Sequence, residues 1–150
     1  MVVRRLGKIV LVALALSALI WADIALRARR AFQEGERYMA WHAKPQLQRA
    51  YWDEWLKSEE KELAAQAAAK RLAAGEIDLR RELAKTERDE RVAESPLKYA
   101  VRWYETGVEL FHSPPNPWTA RSRARLAEAR ALWRAELAAS GLKLEDYSYR

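Results

Sequence analysis

Glu105, Glu109 and His112 stand at i, i+4 and i+7, a spacing that puts three metal-ligating side chains on one face of a helix. Glu109-x-x-His112 has the arrangement used by carboxylate-bridged two-metal bundles, which need a second such motif and two further glutamates on facing helices. The other histidine, His42, has Met39 three residues before it. The second half-site is therefore missing, and no metal site is predicted.

Nucleophilic chemistry fares no better. Serines such as Ser58, Ser95, Ser113 and Ser122 are scattered without a G-x-S-x-G elbow. Gly35, Gly75, Gly107 and Gly141 each stand alone, so no phosphate loop forms. Without cysteine there is no thiol nucleophile and no thiolate ligand. The chain is read as a non-enzyme with no catalytic residue and no cofactor.

What remains is recognition chemistry. Seven Trp in 150 residues is high, and aromatics are favoured both in small cores and at interface hot spots. Tyr38, Trp41, His42, Tyr51, Trp52 and Trp55 cluster in sequence. Core packing is the heavier reading. The partner-binding candidates are Trp41, Trp52, Trp55 and Trp103, and a small-molecule ligand stays open. Arg121, Arg123, Arg125, Arg130 and Arg134 flank an arc of Trp118, Ser122, Leu126, Ala129, Trp133 and Leu137, as on an ordinary packed surface helix. That spread of charge argues against a nucleic-acid partner. Arg27, Arg29 and Arg30 are the candidates for contact with lipid headgroups.

The elements that must carry these residues are helices. The chain has 28 Ala and 19 Arg against 7 Val, 4 Ile and 3 Thr, a composition that favours helix and all but excludes a sheet. From Ile9 to Leu26 run 18 residues interrupted only by Asp23, about 27 Å of helix against a hydrocarbon core of about 30 Å. The eight Leu, Ile and Val residues from Ile9 to Ile20 favour insertion by roughly 2–5 kcal/mol. Asp23 sits near the end beside Trp21, where its cost is small. Cleavage after Ala22 or Ala25 would put Ile20 or Asp23 three positions back, unlike the small residues a signal peptidase reads. A retained signal-anchor is therefore expected, with a cleaved signal as the alternative.

The expected fold is all-α: one N-terminal transmembrane helix, then a small helical bundle or hairpin with a charged arm. Its parts are a basic tail (1–8), the anchor (9–26), an aromatic-rich juxtamembrane segment (27–56), a charged Ala-rich arm (57–95), a helical hairpin (96–141) and a C-terminal tail (142–150). In 57–95, 19 of 39 residues are charged, and the arm is either one helix or a hairpin. Gly75 is read as its break and Asp78 as the cap of a second helix. Ser95-Pro96 and Asn116-Pro117 start helices. Leu97, Val101, Tyr104, Val108 and Phe111 form one apolar face, and Gly141 supplies a stop. No repeat of the roughly 34-residue tetratricopeptide kind is found. The Ala/Arg bias fits a GC-rich bacterial genome. These features point to a single-pass accessory or scaffold protein of the inner membrane, its C-terminal domain outside the cytoplasm. A released ligand-binding domain is the alternative.

Overall fold

The computed structural model describes residues 2–69 and 73–142. The C-terminal tail assigned to 142–150 thus lies, beyond its first residue, outside the described residues. Five helices and no strand occur among the described residues: α1 (Val2–Ala43), α2 (Pro45–Ala68), α3 (Ala74–Ala93), α4 (Pro96–Glu109) and α5 (Pro117–Ala139). Three begin on a proline, whose fixed φ and missing N–H suit the first helical turn. At α5 the Asn116 side chain accepts from the N–H groups of Trp118 and Thr119 at 3.2 and 3.0 Å. Gly141, at φ 73°, closes the other end of that helix.

The chain forms two compact units. The first joins residues 1–39 to 97–150. In it α1 buries Ala28, Ala31, Gly35 and Met39, α4 buries Leu97, Ala100, Val101 and Tyr104, and α5 buries Ser122, Leu126, Ala129, Trp133 and Leu137. Those spacings of three and four are the periodicity expected for α4 and α5. The two helices run antiparallel, since Phe111 meets Thr119 and Gly107 meets Ser122. Small residues set the approach of the helices. A Cβ on Gly35 would lie 2.7 Å from both Cδ1 and Cζ of Tyr104, and one on Gly107 would lie 2.7 Å from Ser122 Oγ.

The second unit, residues 40–96, packs α2 on α3. The charged arm is thus a hairpin whose first helix begins at Pro45, so the boundary drawn at 56/57 falls inside α2. Two local expectations are corrected. Gly75 lies in the first turn of α3 rather than at a stop, and Asp78 lies within that helix, pairing with Arg81 at 3.0 Å. Flanking alanines propagate helix strongly enough to absorb one glycine, whose cost is about 1 kcal/mol. Glu76 meanwhile places its charge in the first turn, where the helix dipole favours it.

Candidate functional site

None of the 18-residue apolar window of α1 is buried within the protein. Leu11, Leu14, Leu19 and Ile20 are all more than half exposed. Their positions go round the helix rather than along one stripe, which is the pattern of a helix surrounded by an apolar phase. The same helix runs unbroken from Val2 to Ala43, so its apolar stretch and the face packed in the first unit are one rod.

At the end of that stretch the α4–α5 connection comes alongside. The Trp21 indole donates from Nε1 to Pro115 O at 3.3 Å. Phe32 and Trp118 pack with ring centroids 5.8 Å apart, and the guanidinium carbons of Arg29 and Arg121 lie 5.5 and 4.5 Å from the Trp118 ring centre. Of the three headgroup candidates, Arg27 is held by Asp23 at 2.8 Å, Arg29 stacks on Trp118, and Arg30 lines an open groove of about 510 Å³. Arg27 and Trp103 line that groove too, with Phe111 at one wall. The structure therefore brings together one of the four tryptophan candidates and two of the three arginines.

Trp41, by contrast, is corrected as a partner-facing residue: it is 4% exposed and packs against Tyr51 at 5.1 Å. Trp52 and Trp55 are half-buried and stand edge-on at 5.6 Å, with the Arg91 guanidinium over Trp52 at 5.7 Å. Burying a large aromatic in a thin two-helix layer gains more than exposing it, so this cluster fills the second unit. Tyr38 belongs to the other unit and stacks on Tyr99 at 5.2 Å.

The metal-like spacing yields no site. His112 donates from Nδ1 to the backbone oxygen of Glu109 at 2.8 Å, whereas Glu105 accepts from Arg130 at 2.8 Å. No group of three potential ligands occurs among the described residues.

Two polar arrangements escape sequence reasoning because they join distant segments. Glu36 of α1 accepts from Tyr104 Oη at 2.5 Å and from Arg125 Nε at 2.6 Å, beside the Arg125–Glu128 pair. Burial pushes the Glu36 carboxyl up, but the bonds from Arg125 and Tyr104 outweigh it and hold the group below its ordinary value. Burial, and then the Glu36 charge, push the Tyr104 hydroxyl well up. In the second unit the buried Gln48 donates from Nε2 to Arg91 O at 2.8 Å and Glu94 O at 3.2 Å. It thereby satisfies carbonyls that the end of α3 would leave open. Only the long spacings from Glu36 to Arg125 and from Gln48 to Arg91 separate these residues from the many other polar ones, and spacing of that size carries no periodic signal.

No protein-family model, curated protein or solved structure matches this chain.

Proposed function

We propose that this chain is a retained, single-pass membrane anchor carrying a non-catalytic helical interaction domain, an accessory or scaffold subunit of a bacterial inner-membrane complex. One observation carries the reading: the apolar stretch of α1 is unburied on every side, and the same helix continues into the packed face of the first unit. Cutting after Ala22 would remove Trp21, whose indole holds the α4–α5 connection at Pro115. This favours a retained anchor over a cleaved signal. Anchoring raises the effective concentration of the domain near partners in the same membrane plane. The basic N-terminus before the apolar run favours an N-in orientation with the domain outside the cytoplasm.

The test is alkaline carbonate extraction of membranes, then intact mass of the chain and mild-detergent purification through a C-terminal tag. We expect a carbonate-resistant chain whose mass includes the apolar segment, with a second protein at near-equal stoichiometry. A soluble species beginning at Asp23 overturns the anchor in favour of the released ligand-binding domain. A membrane chain purified alone overturns the accessory role.

A further inference from the structure

We propose that the α4–α5 tip is a second membrane contact, with Leu110 seated at the boundary between headgroups and acyl chains, and with Arg29 and Arg121, both beside Trp118, engaging phosphates of anionic phospholipids. This rests on the anchor reading of α1.

The first support is depth. Pro115 is bonded to Trp21, which lies five residues inside the end of the stretch at Leu26. At about 1.5 Å per residue that sets the tip roughly 7 Å within the level where the stretch ends, the depth at which interfacial segments rest.

The second is the polar bookkeeping of the tip. A backbone near the hydrocarbon edge is favoured where its carbonyls are bonded internally. Phe111 O accepts from Asn116 Nδ2 and Thr119 Oγ1, both at 2.8 Å. Gly107 O accepts from Thr119 Oγ1 at 3.2 Å, and Pro115 O accepts from Trp21. Pro114 and Pro115 have no N–H to satisfy. Beside these bonds the tip leaves Leu110 69% exposed, as exposed as Leu11 in the apolar stretch itself.

The third is charge. Arg29 and Arg121 both approach the Trp118 ring, and no described carboxylate pairs with either. Both guanidiniums are held at one indole, where each can donate to a phosphate oxygen. Arg125 and Arg130 of the same unit, by contrast, are held by Glu36 and Glu105. Arg29 and Arg121 lie at the level where phosphates would be.

The chain has no cysteine, so single-cysteine variants can be labelled cleanly. Leu110→Cys, Leu16→Cys and Leu132→Cys of the full chain would each carry an environment-sensitive fluorophore in nanodiscs of phosphatidylcholine and phosphatidylglycerol. Some acyl chains would bear a nitroxide quencher near the headgroup and others one near the chain end, to reach positions 110 and 16 respectively. Leu132 lies 15 residues along α5 from Pro117, about 22 Å from the tip. We expect quenching at positions 16 and 110 and none at 132. Raising the phosphatidylglycerol content should strengthen quenching at 110. Adding Arg29→Gln and Arg121→Gln should weaken quenching at 110 at every phosphatidylglycerol fraction, with the equilibrium constant of the contact falling by up to about thirtyfold for two charges.

Quenching at 16, with 110 as dark to the quencher as 132, overturns the tip contact and leaves the anchor standing. Quenching at neither 16 nor 110 overturns the anchor, and the tip contact with it. Quenching at 110 that ignores phosphatidylglycerol overturns the phosphate contacts.

Discussion

The two units are built from the same helical alphabet but hold together by different means. In the first, Tyr104, Leu97 and Ala100 are wholly buried, and glycines at 35 and 107 let helices approach a ring and a serine at van der Waals range. In the second, the buried side chains among the described residues are few: Trp41, Gln48, Leu63 and Ala84. Trp52 and Trp55 are half-buried beside them, and much of the remaining hairpin surface is charged. Glu76–Arg80, Asp78–Arg81 and Glu82–Lys85 lie along one helix, and Arg88–Asp53, at 2.5 Å, joins its two helices. Pairs along a helix add a few tenths of a kcal/mol each and weaken with salt. Apolar burial is worth about 25 cal/mol per Å² and does not. The first unit should therefore set the stability of the chain, and the second should open first.

The strongest attack on that contrast is Trp133→Ala. It empties the centre of the first core, where a large aromatic truncated to alanine costs about 3–5 kcal/mol. Hydrogen exchange in detergent should show α4 and α5 losing protection while α2 and α3 change far less. Equal loss in both units would erase the distinction. Next in size is Gly35→Ala. Its methyl group would collide with the Tyr104 ring, which is fully buried and tied through its hydroxyl to Glu36. Overpacking of this kind costs about 1–3 kcal/mol, although alanine is the better helix former. A rise in thermal midpoint instead would mean that the ring yields freely.

Tyr104→Phe should cost less, about 1.5 kcal/mol for a hydrogen bond to a charged acceptor that keeps a second partner. It also bears on pH. Glu36 is held below its ordinary value near 4.5, so the folded state binds fewer protons than the unfolded one in that range. Its stabilisation is complete above the ordinary carboxylate range and is lost as pH falls through the lowered value. Acid titration of unit-one unfolding should show this loss, and Glu36→Gln should flatten it. An unchanged slope in Glu36→Gln would remove the carboxyl from the account.

How much of this is legible in the sequence depends on the distance over which a signal acts. Pro45, Pro96 and Pro117 with Asn116 mark helix starts within a few residues, because φ restriction and capping are local. The apolar faces of α4 and α5 are legible because burial repeats with the helix. Gly35 carries no such mark: its role is set by a ring 69 residues away. Trp41 misleads because an aromatic that fills a core and one that meets a partner look alike until the packing is known. The break between α2 and α3 is hard to place because alanine runs on both sides suit helix equally well. Of the candidate membrane site, the arginines at 27, 29 and 30 are visible from their place after the apolar run. Arg121, Leu110 and Trp118 are not, since only the hairpin's return beside Trp21 brings them to that level.

The smallest expected effects lie in the second unit, and they separate its two kinds of support. Gln48→Ala removes a buried donor from Arg91 O and Glu94 O and should cost about 1 kcal/mol, independent of salt. Asp53→Asn removes the charge facing Arg88, with the Asp53 side chain 48% exposed. A pair so open to water is worth under about 1 kcal/mol and is screened by salt. Denaturation of the hairpin at low and high ionic strength should therefore leave the Gln48→Ala deficit in place and shrink that of Asp53→Asn. If both deficits shrink together, the buried amide acts through the charges around α3 rather than by capping its end.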